Sequence, residues 1–279
     1  PPSALVLNGG MPVPLGGTVF ASGDINGDGR TDVLAYDSSG GSAYLGSPTG
    51  LGPLQASGLP MSGDGLLLDV DLDGDLDVLF PEQSNTNDWA VSVFLNDGSG
   101  NFAPSGGTSI SVPSSGWFAQ SFAIVDFDHD GLADLALGSI DGLLIYPGVV
   151  GTPGRFGPAA AVPGFAQTSH VTGGDMDEDG HPDLIVLEEG IISVITFAGT
   201  RAAFVPPRAT ALVVADLDGD HHLDLVTHGN EFSVIRGNGD GTLRLPRITG
   251  PVPVAITAVD LAGDGKPEVA AVTAGASLE

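Results

Sequence analysis

Short apolar runs rich in Val, Ile and Leu recur along the whole chain, separated by clusters of Gly and Asp. Runs such as Ser121–Val125 and Ala211–Ala215 precede an Asp cluster, and runs such as Asp134–Leu137 and Asp183–Leu187 follow one. A third run comes next, at Val91–Leu95, Leu143–Tyr146, Ile192–Phe197 and Phe232–Arg236. A Gly-rich turn, NDGSGNF from Asn96 or GNGDGTL from Gly237, then leads to a fourth segment. No long stretch carries a 3.6-residue apolar period, so the pattern predicts many short strands and an all-β chain.

The Asp clusters are copies of one motif, D-x-D-x-D-G-x-x-D. They read DINGDGRTD from Asp24, DVDLDGDLD from Asp69, DFDHDGLAD from Asp126 and DMDEDGHPD from Asp175. DLDGDHHLD from Asp216 has His221 in place of the glycine, which must then adopt the glycine's conformation, and DLAGDGKPE from Asp260 has Ala262 at its third position. Their spacings are 45, 57, 49, 41 and 44 residues. Four short antiparallel strands per repeat of about this period are the mark of a propeller blade. The last motif is followed by one strand, Glu268–Thr273, and the chain opens with two, Ala4–Leu7 and Pro12–Leu15. Residues 4–15 are therefore expected to complete a blade with residues 253–273. The expectation is a single domain over residues 1–279, a six-bladed β-propeller of four-stranded antiparallel blades closed by a composite blade. Closure would remove exposed sheet edges.

Charge adds the chemistry. Lys and Arg total 8 against 35 Asp and Glu, a formal charge of −27, while 42% of residues are hydrophobic. Nucleic acid is excluded as a partner, because little here could neutralise phosphates. There is no cysteine, hence no disulfide framework, and no apolar stretch reaches the ~18 residues of a membrane span.

The carboxylates are concentrated in the motif. Alternating acidic residues in a nine-residue loop turn inward around one point, the glycine permits the sharp turn, and the seventh residue offers its backbone carbonyl. Oxygen-only donors select Ca2+ over zinc or copper, and magnesium prefers an octahedron with retained waters. The candidate ligands are Asp24, Asn26, Asp28, Arg30 and Asp32 in the first loop, and Asp69, Asp71, Asp73, Asp75 and Asp77 in the second. The third offers Asp126, Asp128, Asp130, Leu132 and Asp134, and the fourth Asp175, Asp177, Asp179, His181 and Asp183. The fifth offers Asp216, Asp218, Asp220, His222 and Asp224, and the sixth Asp260, Asp264, Lys266 and Glu268. Five to six Ca2+ sites are expected. A metal-free acidic turn is disfavoured, since like charges in one loop repel without a cation. Such loops act as structural staples, with binding free energy becoming folding free energy.

These loops, with the following apolar strand and Gly-rich turn, resemble the FG-GAP (VCBS-type) repeat that builds the propeller of integrin α subunits. The resemblance implies a calcium-binding hairpin on one face, with Asp69, Asp71, Asp73 and Asp77 and their counterparts as ligands. Partner contacts would lie elsewhere. It also implies an extracellular or cell-surface binding and adhesion scaffold, although six repeats differ from the integrins' seven.

Strand connectivity separates the two ends of each blade. First-to-second and third-to-fourth loops share one end, and second-to-third loops and interblade connections share the other. The longest second-to-third loop spans Pro81–Asp88 beside Trp89, and Trp117 lies in an interblade segment. Trp89 and Trp117 are thus candidates for contact with a protein or glycan ligand on the calcium-free face of a monomer; packing between blades is the alternative. No Ser/His/Asp constellation or HExxH motif is present, so a non-enzymatic scaffold recognising a protein is expected. A lectin-like propeller is the alternative, and a polysaccharide-active enzyme follows, disfavoured by three Tyr and eight basic residues.

Overall fold

The computed structural model describes residues 4–5, 13–14, 18–37, 40–48, 50–59, 65–83, 89–106, 110–112, 121–139, 141–197, 199, 201–204, 209–229, 232–244, 247–248, 255–259 and 268–272. All regular structure among them is β. Two compact units divide the chain: Pro1–Gly116 with Gly148–Gly157, and Trp117–Pro147 with Pro158–Glu279.

In the first unit, β1 (Ala4–Leu5) and β2 (Val13–Pro14) form a two-stranded sheet. Blade one comprises β3 (Thr18–Gly23), β4 (Asp32–Asp37), β5 (Gly40–Ser47) and β6 (Gly50–Ala56), paired in sequence order. Blade two comprises β7 (Leu66–Leu68), β8 (Asp77–Gln83), β9 (Trp89–Asn96) and β10 (Phe102–Pro104), with a short extra strand, β11 (Ile110–Val112), also on β9. In the second unit, blade three is β12 (Ser121–Val125), β13 (Asp134–Ser139), β14 (Gly142–Tyr146) and β15 (Ala160–Ala161). Blade four is β16 (Thr168–Gly174), β17 (Asp183–Glu188), β18 (Ile191–Ile195) and β19 (Arg201–Phe204). Blade five is β20 (Ala209–Ala215), β21 (Asp224–Gly229), β22 (Phe232–Ile235) and β23 (Arg247–Ile248). A final hairpin joins β24 (Ala255–Val259) to β25 (Glu268–Val272). Every pairing is antiparallel between neighbours in sequence, except that β11 returns to β9.

The expected repeat is present, and the fold is an all-β propeller that shows five blades among the described residues rather than six. The composite blade is the correction: β1–β2 and β24–β25 are two separate two-stranded sheets among the described residues. The physical reason lies in the first hairpin. Among the described residues its ladder is two residue pairs long, Ala4 with Pro14 and Leu5 with Val13, too short to present a blade's width of backbone to another strand.

Alternation along each second strand builds the core. In β17, Leu184 and Val186 pack with Ala123, Val125 and Ala136 of blade three, while Ile185 and Leu187 pack with Leu212 and Leu225 of blade five. Successive side chains point to opposite faces of a strand, so a strand between two blades is apolar on both. That is why these segments read as continuous apolar runs rather than alternating ones. In the first unit the same sandwich is aromatic, with Phe20 and Phe80 ring centroids 5.5 Å apart and Phe94 edge-on to Phe80 at 5.8 Å. First strands of consecutive blades run close together: a Cβ on Gly173 of β16 would sit 2.3 Å from Val125 Cγ1 of β12. Only glycine permits that approach.

Ile185 is fully buried between blades four and five. Ile185→Ala is expected to cost roughly 2–5 kcal/mol through lost transfer energy and the cavity left behind, read from the midpoint of chemical denaturation.

Candidate metal centre

Each blade's first hairpin turn is the nine-residue acidic loop, and its shape follows from two left-handed residues. The sixth position has positive φ in all five described loops: Gly29 at 79°, Gly74 at 96°, Gly131 at 84°, Gly180 at 88° and His221 at 72°. His221 thus adopts the glycine conformation expected of it. The fourth position is also left-handed, at Gly27 (68°), Leu72 (60°), His129 (61°), Glu178 (58°) and Gly219 (75°). Sequence reasoning missed this second bend, because only Gly27 and Gly219 signal it. A left-handed non-glycine residue costs on the order of 1 kcal/mol, so Leu72, His129 and Glu178 are held there by the rest of the loop.

Backbone hydrogen bonds do the holding. The first-position carboxylate accepts from the sixth N–H in every described loop: Asp24 from Gly29 (2.7 Å), Asp69 from Gly74 (3.1 Å), Asp126 from Gly131 (3.0 Å), Asp175 from Gly180 (3.0 Å) and Asp216 from His221 (3.0 Å). The fifth-position Asp accepts from the seventh N–H, as Asp28 does from Arg30, Asp73 from Asp75, Asp130 from Leu132, Asp179 from His181 and Asp220 from His222. The ninth Asp is buried in all five and accepts from the second residue's N–H: Asp32 from Ile25, Asp77 from Val70, Asp134 from Phe127, Asp183 from Met176 and Asp224 from Leu217. It also reaches the third strand's end, as Asp77 does at Asn96 N–H (2.8 Å) and Asp224 at Gly237 N–H (3.0 Å).

This scaffold gathers the first, third and ninth carboxylates. In loops two to five the trios Asp69, Asp71 and Asp77; Asp126, Asp128 and Asp134; Asp175, Asp177 and Asp183; and Asp216, Asp218 and Asp224 each place ligand oxygens within 4.8 Å of one another. Each trio could hold a metal ion. The fifth-position residues Asp28, Asp73, Asp130, Asp179 and Asp220 stand outside these trios as hydrogen-bond acceptors. Loop one has Asn26 in its third position, leaving Asp24 and Asp32 as the carboxylates of the trio. The sixth loop, with Asp260, Asp264 and Lys266, lies outside the described residues, and Glu268 opens β25.

The donor set fits a hard divalent cation. Buried oxygens in these loops lack hydrogen-bond partners: Asp71 Oδ1 in loop two, Asp126 Oδ1 in loop three, and Asp175, Asp177 and Asp183 Oδ1 in loop four. A buried unpartnered carboxylate oxygen is costly, and a cation shared by a trio would offset that cost. Burial, with Asp71 and Asp73 close by, pushes Asp77 up to about 6; burial, with Asp177, Asp175 and Asp179 close by, does the same to Asp183. Asp32 and Asp71 are raised too, by burial first.

The fifth loop already contains a cation. The Arg236 guanidinium contacts Asp224 and lies 3.4 Å from Asp218, two of that loop's three trio residues. Sequence reasoning missed it, since Arg236 is remote from the motif and only strand pairing delivers it.

Neighbouring loops are tied laterally. In the first unit Asn96 Nδ2 of blade two donates to Ile25 O of loop one at 2.7 Å, and Gly241 N–H of blade five donates to Met176 O of loop four at 2.9 Å. His129 of loop three is stacked between His181 of loop four and Phe197, with ring centroids at 3.6 and 3.7 Å. Glu178 of loop four likewise contacts His222 of loop five. Third-to-fourth turns therefore share an end with the acidic loops, as connectivity requires. At the other end, five residues join β8 to β9 where two join the corresponding strands in the other four blades. The expected loop Pro81–Asp88 is shorter than its sequence suggested, because Pro81–Gln83 extend β8 and pair with Trp89–Val91. Trp89 opens β9, and Trp117 lies outside the described residues.

Comparison with known proteins places this geometry. The FG-GAP-like repeat family matches residues 69–137 and 216–271, and each stretch begins at the first aspartate of a loop. The chain therefore carries FG-GAP-like repeats on a β-propeller. No curated protein sequence matches it. Among solved structures, a lectin of Agrocybe aegerita described as recognising non-reducing terminal N-acetylglucosamine aligns at 20% identity and TM-score 0.59, over 81% of this chain. The chain spans 64% of that lectin chain. BBS1N, solved in complex with ARL6DN, aligns at 12% identity and TM-score 0.55, over 91% of this chain and 74% of its own. At such identities these likenesses show the fold alone.

Three outcomes are expected. Without metal, Asp77 and Asp183 bind more protons folded than unfolded between about pH 4 and 6, so stability falls as pH rises through that window. Melting in EDTA should therefore be higher at pH 5 than at pH 7, and added divalent cation should narrow the gap. Asp177→Asn should weaken binding at loop four by about tenfold or more, since affinity follows ligand charge. Arg236→Gln should strengthen binding at loop five, as read by calorimetric titration of each variant.

Proposed function

We propose that the chain is a calcium-stabilised extracellular scaffold that recognises a protein partner and performs no catalysis. The observation that carries this reading is the trio of unpartnered buried oxygens in loop four, Asp175, Asp177 and Asp183, in a cluster repeated through loops two to five. Carboxylates so arranged suit Ca2+, which takes oxygen ligands in flexible geometry. Sites with Kd near 10⁻⁴ M fill at the millimolar calcium found outside cells, each contributing roughly 1–1.5 kcal/mol to stability. The motif's carboxylates are thereby committed to stapling. The second-to-third loops at the other end, longest beside Trp89, remain for a partner.

The solved neighbours support binding as the use of such a fold, one with a protein and one with a terminal sugar. A glycan ligand is the second reading, favoured by a groove on blade two described below.

Chelation should lower the melting temperature by about 10 °C if four sites contribute as above, and should raise protease sensitivity. Unchanged melting in EDTA would remove calcium stapling. Binding to a glycan array in 2 mM calcium would favour the second reading over a protein partner. Turnover of an acidic polysaccharide by the purified chain would overturn the non-enzymatic assignment.

A further inference from the structure

Among the described residues, the outer edge of blade two is interrupted. Strand β10 pairs with Phe94–Asn96 of β9 and β11 with Trp89–Val91, so Ser92 and Val93 face the gap between two short strands. A tight hairpin from residue 148 to residue 157 lies over this gap. It is closed by the Gly148–Phe156 bridge and by Val149 N–H donating to Arg155 O at 3.0 Å. Gly154 makes the docking possible: its φ is 67°, and a Cβ there would meet Leu95 Cδ2 at 2.9 Å and Val93 Cγ1 at 3.2 Å. The result is an open groove of about 100 Å3 between β9, the Pro104–Ser105 edge, Ile110 and the hairpin's Arg155 and Phe156.

Its chemistry differs from the rest of the molecule. In a chain with 35 carboxylates, none among the described residues lines this groove. Its one charged group is the Arg155 guanidinium, which is exposed and has no ion-pair or hydrogen-bond partner among the described residues. Arg30 and Arg236, by contrast, pair with Asp28 and with Asp218 and Asp224. The groove thus offers a planar cationic fork suited to a carboxylate. Ser92 and Ser105 add polar groups, and Val91, Val93 and Phe156 an apolar lining.

We propose that this groove binds a single sugar unit carrying a carboxylate, its ring against the apolar lining and its carboxylate on Arg155. A peptide adding as a strand is disfavoured, because the gap exposes two residues of β9 and the Val93 carbonyl already accepts from Ser105 N–H at 3.0 Å. A net charge of −27 repels extended polyanions, which restricts recognition to one carboxylate at a chain end. The proposal deepens the glycan reading and is independent of the metal loops.

The test is ligand-observed NMR and calorimetry on the whole chain in 2 mM calcium and 150 mM salt. Methyl β-D-glucuronide is compared with neutral methyl β-D-glucoside and with a capped Glu-Glu dipeptide. Expected is a preference for the glucuronide of about tenfold or more over both, lost in Arg155→Gln and partly kept in Arg155→Lys, with unchanged melting in both variants. Equal binding of glucoside and glucuronide would leave a glycan site standing and overturn the role of Arg155. Tighter binding of the dipeptide, binding untouched by Arg155→Gln, or no binding of any probe would overturn the proposal.

Discussion

Three carboxylates brought within 4.8 Å of one another, in four of the five described blades, are the constraint around which this molecule is organised. Like charges so close raise each other's energy unless a cation sits among them. Burial compounds the cost: the ninth-position Asp is at most 1% exposed in all five described loops. Loop five relieves it internally through Arg236, whereas loop four leaves three buried carboxylate oxygens without a hydrogen-bond partner. The same repeat thus meets one electrostatic problem in two ways, and the difference lies in a residue at the end of the third strand.

The buried aspartate also explains why loop and blade are one unit. One of its oxygens accepts from the second loop residue, and in blades two and five the other accepts from the far end of the third strand. It therefore joins the hairpin turn to a strand outside its own hairpin. The second residue carries the connection onward, since the carbonyls of Ile25 and Met176 accept hydrogen bonds from the next blade's turn. Loop shape, strand pairing and packing of consecutive blades within each unit are linked through a few backbone groups. Stacking of His129 on His181 and contact of Glu178 with His222 add side-chain ties along the same end.

Much of this was legible in the sequence. The strand-loop-strand repeat, the acidic ninefold motif and the αL demand at His221 follow from local pattern, because strand periodicity and turn chemistry are properties of adjacent residues. The second left-handed position was hidden, since Leu72, His129 and Glu178 carry no preference for it and are held there by surrounding hydrogen bonds. Blade number was misjudged for a related reason. Strand-like segments at the two ends can be counted in sequence, but whether β25 meets β1 depends on ladder length and position, which no local pattern records.

The sequence by itself determined the class of fold and the chemistry of its turns, because both arise from residues within one repeat. Tertiary structure alone decided which carboxylates converge, that Arg236 reaches Asp218 and Asp224, and that the hairpin bearing Arg155 settles over a gap in blade two. The last two relations join residues from 12 to some 60 positions apart. Strand pairing and close packing, not neighbouring residue types, bring them together.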